Sequence, residues 1–295
     1  MWFFRKLREP VFLEKPSSEL RKLKQLQAIN RSLLPEKLAR QLAEDIRTTD
    51  SGIKGENSIK FELQNSHIPM YVLRGIYLEY GDSSAQIDFL VITRRRIFVI
   101  ESKYYYGNIE INEKGDFIWH KLDGEEGIYS PDTQNRRHMD LIKLIRSEVK
   151  GRIAKILFEK YFFDNYRSVI VFANEKTILD DKYAPKDIKS RVIRADALIR
   201  YIRQENEYKG ATDRTDKEMK SLARFYLNAH KERELDYTEK YSSANISRES
   251  KASSFICSEC GETMVAKRNS KDGSYFAGCP NYRKGCSGPE TYSLE

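Results

Sequence analysis

Asp88, Glu101 and Lys103 lie in two strand-like runs of a 295-residue chain, and together they are the residue types of a metal-assisted hydrolytic site. The runs Ala85 to Thr93 and Ile97 to Tyr106 flank the basic turn Arg94-Arg95-Arg96 and read as a hairpin. Asp88 then sits on the first strand, while Glu101 and Lys103, two apart on the second, point to one face. Charged residues rarely stand among neighbours as apolar as Ile87, Phe89, Leu90, Val91, Phe98, Val99 and Ile100. Two carboxylates offer hard oxygen ligands to Mg²⁺ or Mn²⁺, and an ammonium beside them stabilises an attacking hydroxide or the charge developing on phosphorus. That is the chemistry of phosphodiester hydrolysis. Its plain alternative is a buried cross-strand ion pair between Asp88 and Lys103. Glu56 either joins the cluster or is a solvated helix residue.

A second constellation closes the chain. Eighteen residues separate the pair Cys257 and Cys260 from Cys279, and six more lead to Cys286. Paired cysteines on two knuckles suit a closed, tetrahedral, structural Zn²⁺ site, the alternative being disulfides. So short a segment, with few large aliphatics, needs such a staple to fold.

The elements that must position these residues follow from periodicity. Glu19 to Asp45 reads as a charged helical arm interrupted at Pro35, and a new segment begins at Gly52 with Ile59, Phe61 and Leu63 on a first domain helix. Met70 to Gly75 reads as a strand, the hairpin follows, and Ile109–Ile111 pairs with Phe117–His120. Pro131-Asp132 opens one long helix whose apolar face runs Leu141, Ile145, Val149, Ile153, Ile156, Leu157. Val169 to Ala173 is a buried strand, and helices over Asp196–Gln204 and Asp216–Arg233 finish the domain. Thr238 to Ser254, with six serines, reads as a flexible linker. The division is thus an arm over 1–51, an α/β domain over 52–237, the linker over 238–254 and a zinc ribbon over 255–295. His120 and His138 read as structural, Arg94–Arg96 as a solvated turn or a phosphate grip, and Tyr104–Tyr106 as strand packing or a stacking platform.

Composition narrows the partners. With 52 Lys and Arg against 44 Asp and Glu, the net charge of +8 and a pI near 9.1 favour an anionic partner. A hydrophobic content of 40% with 12% aromatics excludes a wholly disordered chain. No apolar run approaches the roughly 20 residues of a membrane span and the N-terminus lacks a signal-peptide core, so a cytoplasmic protein without a membrane partner is expected.

Gly55-Glu56, Gln86-Ile87-Asp88-Phe89-Leu90-Val91, Phe98-Val99-Ile100-Glu101-Ser102-Lys103 and Gly107 resemble the nuclease-related domain (NERD), a branch of the PD-(D/E)xK nucleases, over roughly Gly52 to Gln204. The resemblance implies a restriction-endonuclease-like α/β core, a mixed sheet flanked by helices. It implies that Asp88, Glu101 and the Ser102 carbonyl bind Mg²⁺, that Lys103 orients the water, that Glu56 completes the acidic cluster, and that Gln134 contacts a phosphate or the water. Tyr104 departs from the asparagine frequent after the lysine.

The cysteine segment, Phe255 to Tyr292, resembles the C-terminal zinc finger of bacterial type IA topoisomerases, with Met264–Ala266 and Ser274–Gly278 as ribbon strands. That resemblance implies binding to single-stranded nucleic acid, with Tyr275, Phe276 and Tyr282 stacking on bases and Lys267, Arg268, Arg283 and Lys284 on the backbone. For Tyr275 and Phe276 the ribbon's own small core is an equal use. The function expected is a metal-dependent nuclease acting on DNA; the alternatives are a non-catalytic nucleic-acid-binding protein and a protein-interaction scaffold.

Overall fold

The structure is a computed structural model that describes residues 6–14, 18–208, 213–288 and 290–294, with the side chains of Glu14, Ala244 and Arg283 outside that description. The chain divides into two compact units, Met1–Leu20 with Asp50–Arg233, and Arg21–Thr49 with Glu234–Glu295.

The first unit begins with strand β1 (Pro10–Glu14), after which helix α1 (Ser18–Gln27) opens. Helix α2 (Glu36–Gln64) is unbroken, so the boundary expected at Gly52 falls in its interior. No proline stands between Pro35 and Pro69, and an interior glycine costs only about 1 kcal/mol relative to alanine. Strands β2 (Met70–Tyr80), β3 (Ser83–Thr93) and β4 (Ile97–Lys103) then form an antiparallel meander. Small strands β5 (Asn108–Ile111), β6 (Phe117–Lys121) and β7 (Gly124–Ile128) lead to helix α3 (Pro131–Glu148), which is capped by Ser130. Helices α4 (Arg152–Lys160) and α5 (Phe162–Asn165) precede strand β8 (Tyr166–Phe172). Strand β9 (Leu179–Asp180), helix α6 (Lys186–Lys189), strand β10 (Val192–Arg194) and helices α7 (Leu198–Glu207) and α8 (Asp216–Ala229) complete the unit.

Its main sheet has the order β1-β2-β3-β4-β8-β10, antiparallel from β2 to β4 and parallel between β1 and β2, β4 and β8, and β8 and β10. The mixed, helix-flanked α/β core is therefore as expected. On one face Leu90, Ile92 and Val99 pack with Met139, Ile142, Met219 and Tyr226 of α3 and α8. On the other, Val72, Phe89, Val91 and Phe98 pack with Ile59 and Leu63 of α2 and Leu198 and Ile202 of α7.

Three expectations need correction. The long helix breaks at Val149–Gly151, and Val149, Ile153, Ile156 and Leu157 are exposed instead of core-facing, since α4 rests on the core through Phe158. Arg96 is no solvated turn residue: it is fully buried, with its guanidinium 4.5 Å from the centre of the Tyr208 ring. Ser243–Ala252 is helix α9, not flexible linker, with Ser242 capping its start by accepting from Asn245 N. In the second unit Tyr237, Tyr241 and Ile246 join Leu26, Leu38 and Leu42 of α1 and α2 in one apolar cluster, so arm and presumed linker fold together. Buried Glu249 of α9 pairs with Lys37 and accepts from Ala266 N at 3.0 Å, joining the arm to the ribbon.

Candidate active site

The ladder between β3 and β4 ends at Phe89↔Ile100, one step before Asp88 and Glu101 would face each other. There the strands part, and Ser102 donates its backbone N–H to Asp88 Oδ2 at 2.8 Å. On the far side, the register Arg74↔Phe89 and Ile76↔Ile87 sets Gly75 opposite Asp88. Gly75 has φ +66°, a conformation that favours glycine. The alternation of faces slips at both positions: Leu73 shares a core cluster with Ile76 and Leu78, and Ile87 shares it with Leu90, while Phe89 faces the opposite one. The irregularity opens a cleft of about 560 Å³ lined by Glu56, Arg74, Gln86, Asp88, Glu101, Ser102 and Lys103, with Glu19, Asn57 and Lys60 along its walls.

Within the cleft, Lys103 Nζ donates to Glu101 Oε1 at 2.7 Å and to Gln134 Oε1 at 2.9 Å. Asp88, Glu101, Lys103 and Gln134 thus meet through hydrogen bonds or adjoining strands, although they come from β3, β4 and α3. Glu56 enters from α2 and accepts a hydrogen bond from the Arg74 Nε–H at 2.8 Å. Gly55 lets α2 come this close to the end of β4, for a Cβ there would lie 3.1 Å from Ser102 Oγ and from Tyr104 Cβ.

Electrostatics marks the same residues. Burial, then the neighbouring Glu101, pushes the Asp88 carboxyl up to about 8, against the opposing Ser102 hydrogen bond and Lys103 charge. Burial and Asp88 push Glu56 up to about 7, with Arg74 opposing. Burial also raises Glu101, with Lys103 opposing. Carboxylates crowded out of water in this way favour a proton or a cation.

The donor set fits a hard divalent cation on a specific observation. Glu101 Oε2 is buried and makes no hydrogen bond among the described residues, while its other oxygen is held by Lys103. His138, read from sequence as structural, stands with Nδ1 3.4 Å from that oxygen, and burial followed by the Lys103 charge lowers its pKa to about 4, leaving a neutral imidazole. Arg74 and His138 are the site residues that sequence reasoning missed. Neither carries a local signal, since Arg74 is 18 residues from Glu56 and His138 is 37 from Glu101. His120 stands between Glu110 and Glu125 at 3.0 and 2.9 Å.

In the second unit the four cysteine sulfurs all lie within 4.8 Å of one another, with Cys257–Cys286 at 3.7 Å and Cys260–Cys279 at 3.5 Å. Thiolates about 2.3 Å from a tetrahedral Zn²⁺ stand roughly 3.8 Å apart, so the donors fit. No pair is bonded as a disulfide. Strands β11 (Val265–Arg268), β12 (Tyr275–Gly278) and β13 (Tyr292–Ser293) form the ribbon. Tyr275 is partly buried, packs against the ribbon core beside Ala277 and carries the Arg248 guanidinium 4.0 Å from its ring centre. Phe276, Tyr282, Lys267 and Arg268 line a groove of about 920 Å³ together with Gly278 and Thr291. Lys284 is exposed, and the side chain of Arg283 lies outside the described residues.

Residues 51–173, from mid-α2 to just past β8, match the family NERD, the nuclease-related domain. No zinc-finger family matches the cysteine segment. No curated protein and no solved structure matches the chain. A nuclease-related domain on a mixed α/β core implies dealings with nucleic acid. No helix among the described residues is long and apolar enough to cross a membrane.

Proposed function

We propose that the protein is a metal-dependent nuclease that hydrolyses phosphodiester bonds in DNA, with the ribbon unit holding single-stranded nucleic acid. The observation that carries this reading is the meeting of Asp88, Glu101 and Lys103 where β3 and β4 part, with one buried Glu101 oxygen left over. Asp88, Glu101 and the Ser102 carbonyl would hold Mg²⁺ or Mn²⁺, which when bound supplies a Lewis acid for the phosphate and a lowered pKa for water.

The chain's own residues do the rest. Lys103, fixed between Glu101 and Gln134, presents its ammonium to orient the attacking water and to meet the charge that gathers on the phosphate oxygens. Gln134 keeps Lys103 in that position. The apolar flanks of β3 and β4 exclude bulk water, which strengthens each of these interactions. On the ribbon, Phe276 and Tyr282 offer faces for unpaired bases, each contact contributing about 1–3 kcal/mol, while Lys267, Arg268, Arg283 and Lys284 meet the backbone. Tyr275, partly buried against the ribbon core, offers a third face beside them.

Four domains in the sense of arm, nuclease core, linker and ribbon reduce to two in this reading: a catalytic unit, and an arm–α9–ribbon unit stapled by Zn²⁺. The test is incubation of the purified chain with labelled single-stranded DNA, duplex DNA and RNA in Mg²⁺, Mn²⁺ or EDTA. Cleavage of DNA only with a metal supports the reading; binding without cleavage in every metal replaces it with a nucleic-acid-binding protein.

A further inference from the structure

Arg74 is a largely buried arginine on the wall of a polar cleft, and its guanidinium is only half used. Its Nε donates to Glu56 Oε2 at 2.8 Å, and its guanidinium carbon lies 5.8 Å from the centre of the Phe89 ring. Nη1 and Nη2 make no hydrogen bond among the described residues. They are also absent from the fully buried polar atoms, so they reach the cleft that Arg74 lines. The two side chains of the pair are only 11% and 12% exposed. A guanidinium held by its Nε keeps its two terminal nitrogens as a rigid fork, the arrangement that binds two oxygens of one phosphate.

Its position suits that task. Arg74 precedes Gly75, which lies opposite Asp88 across the β2–β3 register, so the fork and the carboxylates open on one cleft. Lys103 is already occupied by Glu101 and Gln134. Arg74 adds to the cleft a guanidinium whose two terminal nitrogens are uncommitted among the described residues.

We infer that Arg74 binds the phosphate to be cleaved through Nη1 and Nη2, and that Glu56 is its positioning residue and not a metal ligand. The inference rests on the nuclease reading and gives it a phosphodiester-gripping residue that the sequence motif lacks. Glu56 acts by fixing the guanidinium plane, so a neutral acceptor at position 56 suffices for the role.

The experiment uses the 295-residue chain loaded with zinc. Binding of fluorescein-labelled DNA is measured against NaCl concentration with Ca²⁺ in place of Mg²⁺, cleavage is measured with Mg²⁺, and Mn²⁺ affinity is measured by calorimetry. Arg74→Gln is expected to lower kcat/KM by roughly 10²-fold and to flatten the plot of log affinity against log salt by roughly one phosphate contact. Arg74→Lys, which keeps the charge without the fork, is expected to retain the salt slope and lose most of the rate. Glu56→Gln is expected to keep Mn²⁺ affinity within about twofold and retain most activity, whereas Glu56→Ala loses activity with the same Mn²⁺ affinity. The double variant Arg74→Gln/Glu56→Gln leaves no carboxylate at position 56 without its arginine, and its thermal midpoint and Mn²⁺ affinity separate a lost phosphate contact from a lost fold.

A wild type that cleaves while Arg74→Gln keeps its rate and salt slope overturns this inference and leaves the nuclease reading standing. Loss of Mn²⁺ binding in Glu56→Gln overturns the assignment of Glu56. A wild type that neither binds nor cleaves DNA overturns both.

Discussion

Asp88 Oδ2 accepts the backbone N–H of Ser102 at 2.8 Å, so a carboxylate stands where the β3–β4 ladder would otherwise have continued. The bond keeps the N–H satisfied while the strands separate, and the separation makes room for Glu101 and Lys103 to face a cleft. It also fixes Asp88 in a buried place, at a cost that only a cation or a proton relieves.

That cost is measurable as a pH effect. The Asp88 pKa is raised to about 8 in the folded state from 3.8, so the folded state binds more protons than the unfolded one between these values. Stability contributed by the protonated form is present below pH 4 and is lost as pH rises toward 8. Asp88→Asn is expected to raise stability in EDTA at pH 8 by on the order of 1–3 kcal/mol, and to abolish the further stabilisation that Mg²⁺ gives the wild type. Thermal melts at pH 6 and pH 8, with and without Mg²⁺, measure both effects.

Gly55 sets the approach of α2. A Cβ at 3.1 Å from Ser102 Oγ and Tyr104 Cβ forces the helix or the end of β4 to give. Gly55→Val is expected to cost about 1–3 kcal/mol and to reduce cleavage at least about tenfold by carrying Glu56 away from Arg74. Urea unfolding and a steady-state cleavage assay are the checks.

Removal of the sulfur donors acts on the other unit. Cys257→Ser, or chelation, is expected to release about one Zn²⁺ per chain and to unfold the ribbon, whose own apolar cluster is small. Metal analysis and amide exchange should show loss of protection in β11 and β12 with β3 and β4 still protected.

Glu249 joins Lys37 to the ribbon strand through Ala266 N. Glu249→Ala leaves an amide without its partner and is expected to destabilise the second unit by about 1–3 kcal/mol, seen as faster exchange in α9 and β11.

How legible all this was in the sequence depended on the range of the interaction. Asp88, Glu101 and Lys103 were legible because charges interrupt two apolar strands at period-two positions, a signal local to each strand. The parting of the strands was not, since it arises from a slip of alternation shared by Gly75 and Asp88 on neighbouring strands. Gly52 and Gly55 look like a boundary in the chain, and the two units do divide nearby, between Thr49 and Asp50; the close passage of β4 accounts for Gly55, while Gly52 has open space around it. Strand β7, Gly-Glu-Glu-Gly-Ile, has no apolar alternation because its residues other than Ile128 are exposed. Strand β1 is five residues long and gains its place from parallel pairing with β2, some 60 residues on. The stretch with six serines looked unstructured because α9 buries few large side chains; it is held by its Ser242 cap, Ile246 and Glu249.

The most direct test of the central claim is cleavage of labelled DNA by wild type, Asp88→Ala and Lys103→Ala at pH 8 in Mg²⁺, Mn²⁺ and EDTA, with Mn²⁺ affinity measured alongside. The account predicts cleavage by wild type only with a metal, loss of both cleavage and metal binding in Asp88→Ala, and loss of cleavage with metal binding retained in Lys103→Ala. Undiminished cleavage by Asp88→Ala, or an inert wild type in every metal, would contradict it.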